Sequence, residues 1–153
     1  KTAKLFEACG SLAAISNNNS AEKINLYSKL GFHFGIIFQL IDDILDYSGN
    51  ASQIGKNLGD DLSEGKITLP LIYAMKDSNK TQCKLIKDAI KVGDIRKLPD
   101  IIEIIEDTKS IAKVQIKSEE QLSSIKIILD KIPKNDYKRT VLELAEYCVS
   151  RKN

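Results

Sequence analysis

The feature that most constrains this chain is a set of polar residues spaced for one face of a helix. They stand at positions i, i+3, i+4 and i+7: Gln39, Asp42, Asp43 and Asp46. On an α-helix, groups with this spacing project from the same side. Residues 34–38 are apolar nearly throughout, which indicates that the helix is buried on most sides. Crowded carboxylates at the end of a buried helix repel one another, so the pattern predicts a cation that offsets their charge.

The segment after the acids supplies charge of the opposite sign. Lys56 and Lys66 are each directly preceded by a glycine, which lets the backbone turn tightly and bring an ammonium group to an anion. Mg²⁺ prefers carboxylate oxygens and keeps waters or substrate phosphates in its other coordination positions. The sequence therefore predicts that Asp42, Asp43 and Asp46 hold Mg²⁺ and that the lysines hold a phosphate-bearing ligand.

The same acids have a simpler interpretation, a solvated helix face, which is the commoner use of such a motif. A solvated face carries mixed charge and has no reason to follow an apolar run like residues 34–38. The surroundings of the motif, more than the motif itself, therefore favour a binding site.

The rest of the chain predicts helices and no strand, which makes the fold class all-α, a helical bundle. Ser20, Thr68 and Asp136 are the expected N-caps. The segment 48–67 is expected to be a glycine-spaced loop that is mobile without ligand. Helices are expected at about 1–15, 21–47, from 68, 80–92, 99–107, 110–132 and 137–150.

Two helices carry more specific expectations. Gly31 and Gly35 each weaken helix propensity by about 1 kcal/mol, which favours close packing of a neighbouring helix against them. The last helix is expected to bury one face, formed by Val141, Leu144, Ala145 and Cys148.

Composition narrows the class of protein. A net charge of +2 over 153 residues indicates neither nucleic-acid binding nor an acidic partner. Cys9, Cys83 and Cys148 lack metal-ligand spacing and are expected to be buried or partly buried free thiols in a reducing cytosol. His33 is expected to be a packed helix residue rather than a general base. No apolar run approaches the length of a membrane span, so a cytoplasmic protein is expected.

Three motifs together resemble the trans-polyprenyl diphosphate synthases, which have the all-helical type I isoprenoid synthase fold. Residues 38–47 resemble the second aspartate-rich motif of that family. Residues 55–66, with the threonine-leucine-proline-leucine run at 68–71, resemble the long-chain synthases that make quinone side chains. The opening residues 1–8 resemble the family's lysine-threonine motif.

The resemblance implies roles for individual residues. Asp42, Asp43 and Asp46 would bind Mg²⁺ that bridges to an allylic diphosphate, with Asp42 as the most direct ligand. Such a reaction separates an anionic diphosphate from an allylic carbocation, and Mg²⁺ stabilises the departing anion. Isopentenyl diphosphate would then attack the cation, and the departing diphosphate would serve as the base for the final proton loss.

The resemblance also implies the groups around the reacting substrate. Lys1, Lys56 and Lys66 would contact the diphosphate. Thr2 and Gln39 would lie along the allyl group, where a hydroxyl and an amide oxygen stabilise positive charge without trapping the cation. Lys1, Thr2 and Gln39 are accordingly the expected catalytic residues.

The family pattern is only partly present. A first aspartate-rich motif and the arginine-bearing segment for isopentenyl diphosphate do not occur in the sequence. Residues 1–153 are therefore expected to be the C-terminal portion of a single synthase domain whose N-terminal half is absent, and to be inactive alone. The whole enzyme is expected to be a homodimer with at most transient membrane contact. An octaprenyl product is expected, with heptaprenyl and nonaprenyl products open.

Two alternatives to a catalytic chain stay open. One is a noncatalytic subunit of a heteromeric prenyl synthase, in which the acidic motif would survive only as scaffold. The other is a helical interaction protein without a ligand, although Gln39, Lys56 and Lys66 argue against it.

Overall fold

The computed structural model describes residues 2–48 and 58–151, and every regular element in these ranges is helical. This confirms the all-α prediction. Lys1 and Lys56 lie outside the described residues, as does the part of the expected loop between 49 and 57. The elements are α1 Thr2–Ser16, α2 Ala21–Ser48, α3 Asp60–Ser63, α4 Leu69–Asp77, α5 Lys80–Val92, a 3₁₀ turn Ile95–Lys97, α6 Leu98–Asp107, α7 Ser110–Asp130 and α8 Asp136–Ser150.

Most helix ends follow the expected chemistry, but the predicted cap at Asp136 is wrong, and the N-cap at Thr68 lacks a side-chain hydrogen bond. The Ser20 hydroxyl accepts from the backbone N–H of Lys23, as expected. Thr68 stands at the N-cap of α4 with extended backbone, yet its side chain caps nothing. The cap of α8 is Asn135, whose amide oxygen accepts from the N–H of Lys138 at 2.8 Å, and Asp136 is the first helical residue. Asparagine caps as well as aspartate, so the helix starts one residue earlier than predicted.

The helices group into two compact units. The first comprises residues 2–41 and 117–151 and contains α1, most of α2, the larger part of α7, and α8. The second comprises residues 42–116 and contains the end of α2, the helices α3 to α6, and the first turns of α7.

In the first unit, α1 packs against α2 with almost no space between the backbones. A Cβ atom on Gly31 would lie 2.2 Å from the carbonyl oxygen of Phe6, and one on Gly35 would lie 2.7 Å from Cα of Ala3. Gly10 on α1 makes the equivalent approach to the carbonyl oxygen of Tyr27, at 2.2 Å. These contacts confirm the prediction that the two glycines of α2 allow close helix packing.

The outer face of α1 is apolar and exposed. Leu5 is 65% exposed and Leu12 is 61% exposed, and Cys9 lies between them on the same stripe. The exposure of Cys9 corrects the expectation that all three thiols are at least partly buried; Cys83 and Cys148 are partly buried. Within the described residues, no helix is long and apolar enough to cross a membrane.

The C-terminal helices pack largely as predicted. Ala145 of α8 is fully buried, but Leu144 is 50% exposed, and the inward-facing residue missed by the prediction is Val149. His33 is a packed helix residue, as expected, because its Nδ1 lies 2.8 Å from Oε1 of Gln121 on α7.

The second unit has its own hydrophobic core. Helices α4, α5 and α6 contact one another, and α3 contacts α5. This core includes the ring of Tyr47 at the end of α2, so it anchors the acidic end of that helix. Its fully or nearly buried residues are Tyr47, Leu62, Leu71, Ala74, Ile86, Ala89, Ile90, Ile101, Ile104 and Ile105.

Candidate functional site

Asp46, at the end of α2, binds the backbone at the start of α3. Its Oδ1 accepts from the backbone N–H of Asp60 at 3.1 Å, and its Oδ2 accepts from that of Asp61 at 3.2 Å. The N–H of Gly59 donates to the carbonyl oxygen of Asp46 at 3.0 Å. A single aspartate therefore satisfies two of the amides that are left without partners at the start of α3.

Gly59 makes this junction possible. Its φ of 79° lies in the left-handed region, which side chains disfavour. An added Cβ would also lie 2.6 Å from Cδ1 of Ile95. The backbone can therefore turn back to Asp46 only with glycine at this position.

Negative charge accumulates at this junction. Burial, and then repulsion from the Asp61 carboxylate, raise the pKa of Asp46 to about 6, although the two backbone hydrogen bonds lower it. Asp43, three residues earlier on α2, is only 8% exposed. Burial also raises the pKa of the neighbouring Tyr47 hydroxyl. The surroundings of Asp46 thus disfavour its negative charge.

Lys66 supplies a cation at the edge of the same junction. Its ammonium group lies 3.0 Å from Asp61 and 2.6 Å from Glu64. These hydrogen bonds, first to Glu64 and then to Asp61, raise the pKa of Lys66. The side chain is 56% exposed, so it is free to exchange these surface partners for an anionic ligand at little cost.

In the first unit, Thr2 and Gln39 form the pair expected from the sequence. The Thr2 hydroxyl donates to Oε1 of Gln39 at 2.8 Å, which joins the start of α1 to α2. Donation in this direction keeps the lone pairs of the hydroxyl oxygen available to a positively charged group. Both side chains are neutral, and neither is a strong nucleophile.

The predicted metal ligands are all present on α2, but they do not form a closed metal cage. Within residues 2–48 and 58–151, no three His, Cys, Asp or Glu side chains are close enough to hold a metal ion between them. The donor set still fits a hard cation that takes one or two carboxylates and completes its shell with waters and phosphate oxygens. The assignment of Asp42, Asp43 and Asp46 to Mg²⁺ stays a prediction.

Sequence reasoning missed the part of the site formed by Asp60 and Asp61. They were placed in an open loop, whereas they start α3, donate backbone hydrogen bonds to Asp46, and include the carboxylate that pairs with Lys66. A glycine followed by two acidic residues is a recognisable helix start, and it was the available signal.

Known sequences match the chain over nearly its whole length. The sequence profile of the polyprenyl synthetase family matches residues 1–108. Octaprenyl diphosphate synthase of Haemophilus influenzae is 38% identical over 152 residues, which cover 99% of this chain and 46% of that protein. The Escherichia coli octaprenyl diphosphate synthase is 36% identical, covering 99% and 47%. Component 2 of heptaprenyl diphosphate synthase from Geobacillus stearothermophilus is 32% identical, covering 99% and 47%.

Solved structures agree with this result. A polyprenyl synthase from Caulobacter crescentus, complexed with calcium and isoprenyl diphosphate, superposes with a TM-score of 0.92 at 32% identity, covering 100% of this chain and 47% of that one. Heptaprenyl diphosphate synthase from Staphylococcus aureus gives a TM-score of 0.90 at 27% identity, covering 100% and 48%. The chain thus spans about half the length of the relatives it matches. The family profile, the fold of the isoprenoid synthases and the motif residues coincide, and the chain belongs to the polyprenyl synthetase family.

Proposed function

We propose that this chain supplies the allylic-diphosphate side of a long-chain synthase. The complete enzyme condenses isopentenyl diphosphate with an allylic diphosphate into an all-trans polyprenyl diphosphate of octaprenyl type, the precursor of a quinone side chain. The observation that carries the proposal is the acidic junction, where burial and then the Asp61 carboxylate raise the pKa of Asp46 to about 6. A divalent cation would offset this charge, and the relatives of the chain include octaprenyl diphosphate synthases.

Different residues act on the diphosphate leaving group and on the allylic carbocation. Lys66 exchanges its contacts to Asp61 and Glu64 for the diphosphate oxygens and neutralises charge as the C–O bond breaks. The Thr2 hydroxyl oxygen, held by its bond to Gln39, stabilises the positive charge on the allyl group. Bound Mg²⁺ would supply electrostatic stabilisation of the departing diphosphate, with Asp42 as its first ligand.

Three further residues have proposed roles that follow from the family resemblance and from their charge. Lys1 and Lys56 are proposed as further diphosphate contacts. Asp43 is proposed to support the metal-binding end of α2, where it is nearly buried. Homodimer formation, a cytoplasmic location and transient membrane contact belong to the same proposal for the complete enzyme.

Calorimetric titration with Mg²⁺ and a non-ionisable allylic diphosphate analogue tests the proposal. We expect Asp42→Asn and Lys66→Gln each to weaken binding at least tenfold. Asp107→Asn, which neutralises an exposed acid on α6, is the matched control and should leave binding unchanged. The titration is performed on the chain combined with the rest of the synthase, and equal affinity of Asp42→Asn and the unsubstituted chain would overturn the assignment.

A second candidate is a noncatalytic subunit of a heteromeric synthase, since one relative is named as component 2 of a heptaprenyl diphosphate synthase and therefore indicates an enzyme of more than one component. It predicts that the assembled enzyme keeps its turnover when Asp42 or Thr2 is substituted. Loss of more than tenfold in turnover with either substitution, at unchanged assembly, would exclude this candidate.

A further inference from the structure

A cavity of about 520 Å³ is lined by the end of α4 and one face of α5 and shares no lining residue with the candidate site. Four of its lining residues are lysines that follow one stripe of α5, at positions i, i+4, i+7 and i+11: Lys80, Lys84, Lys87 and Lys91. At 1.5 Å rise per residue, the stripe is about 16 Å long.

The positive charge of this stripe is largely uncompensated. The acid in the lining, Asp88, lies 3.9 Å from Lys91. Across the described ranges, no carboxylate forms an ion pair with the ammonium group of Lys80, Lys84 or Lys87. Like charges spaced four residues apart destabilise a helix, whereas an anion lying along the stripe would remove that repulsion.

Ser78, which lines the same cavity, has a hydroxyl without a hydrogen-bond partner. The Ser78 hydroxyl, at the C-cap of α4, is buried and makes no hydrogen bond in the structure. A buried polar atom without a partner is rare, because it loses water and gains nothing in return. Rotation of the Ser78 side chain toward the cavity would let a ligand oxygen accept this hydrogen bond.

We propose that this groove binds an anion with two or more linked phosphates. The ammonium groups of Lys80, Lys84 and Lys87 bind its oxygens, and the Ser78 hydroxyl donates to one of them. Successive lysines on the stripe are about 6 Å apart at Cβ, so linked phosphates engage more of them than a single phosphate can. The inference is independent of the proposed catalytic function.

Cys83 provides a local readout, because its partly buried thiol lines the groove, whereas Cys9 lies on α1 in the other unit. Inorganic diphosphate, compared with chloride at equal ionic strength, should slow iodoacetamide alkylation of Cys83 at least threefold and leave Cys9 unchanged. The double variant Lys84→Gln, Lys87→Gln should lose this protection. The control Lys23→Gln, Lys29→Gln, which removes two exposed charges from α2, should keep it.

Two further measurements identify the source of the phosphates and the hydrogen-bond donor. Diphosphate protection of Cys83 that needs Lys84 and Lys87 supports the groove. Phosphatidylglycerol vesicles at equal phosphate concentration present single phosphates, so protection by the vesicles without protection by free diphosphate would overturn the proposal. Ser78→Ala should reduce the diphosphate protection, since it removes the donor. The proposal is also overturned if diphosphate leaves Cys83 unprotected, or if protection persists in the double lysine variant. Because Cys83 reports on the groove alone, this failure would leave the catalytic proposal standing.

Discussion

The contact between α1 and α2 and the junction between α2 and α3 both hold residues proposed for the site, but by different physical means. At the first, backbone touches backbone at Gly31 and Gly35, and the Thr2–Gln39 hydrogen bond follows from that spacing. At the second, the carboxylate of Asp46 holds two backbone amides across fourteen and fifteen residues of sequence.

The difference teaches that one of these contacts is fixed by volume and the other by charge. Steric contact between backbones does not change with pH, salt or ligand. A carboxylate that is shared between backbone amides and neighbouring acids does respond to a cation. Substitutions that add atoms should therefore disrupt the contact between α1 and α2. Substitutions that remove charge should disrupt the junction between α2 and α3.

The largest effect is expected from Gly31→Ala. The new methyl group would meet the carbonyl oxygen of Phe6 at 2.2 Å, and this backbone atom can move only if α1 moves. The steric cost should exceed the gain in helix propensity and lower the free energy of unfolding by about 2–4 kcal/mol, measured by urea denaturation. Ala13→Leu, which adds more atoms at an exposed position of α1, should change it by less than about 0.5 kcal/mol. Equal stability of both variants would contradict the close contact.

Asp46→Ala should have the next largest effect. It leaves the amides of Asp60 and Asp61 without their acceptor and should cost about 1–2 kcal/mol. Hydrogen exchange should show these two amides losing protection, while those of α5 keep theirs. Asp46→Asn retains one acceptor oxygen and should lose less. Unchanged protection in the alanine variant would show that Asp46 does not hold α3.

Thr2→Val should cost about 1 kcal/mol, because it keeps the shape of the side chain but removes the donor to Gln39. Thr2→Ser retains the hydroxyl and is the matched control. Urea denaturation of the two variants gives the difference, and no difference between them would mean that the hydrogen bond contributes nothing to stability.

The smallest effect concerns Cys148. Burial raises the pKa of this thiol above its ordinary value, partly offset by the positive charge of Arg151. Because the thiolate is the reactive form, its alkylation rate should still be rising with pH at about pH 9. Mass spectrometry of iodoacetamide-treated protein measures this rate, and a plateau below that pH would contradict the raised pKa.

Local patterns in the sequence predicted the helices well. Residues 80–92 were assigned with the bounds of α5, and α2 ends one residue beyond its predicted end, because apolar spacing is a property of the segment itself. The Thr2–Gln39 proximity was expected only through family resemblance, since 37 residues separate the two.

The features that the sequence did not predict depend on partners that are distant in sequence. Helix α3 has four residues and no amphipathic pattern, and it exists because Asp46 accepts from its first amides. Leu144 was assigned to the buried face by periodicity, but neighbours beyond its own helix decide which flank of α8 is covered. The cap at Asn135 was missed by one residue because asparagine and aspartate are interchangeable there.

Three glycines set the distance between α1 and α2. Gly10 meets Tyr27, while Gly31 and Gly35 meet earlier parts of α1, so the contacts run in opposite directions along two antiparallel helices. The Thr2 hydroxyl reaches only a few ångströms. Its hydrogen bond to Gln39 therefore depends on how closely the main chains of α1 and α2 approach each other. In related sequences, the outer surfaces of these two helices should therefore vary freely, whereas the three glycine positions should be retained.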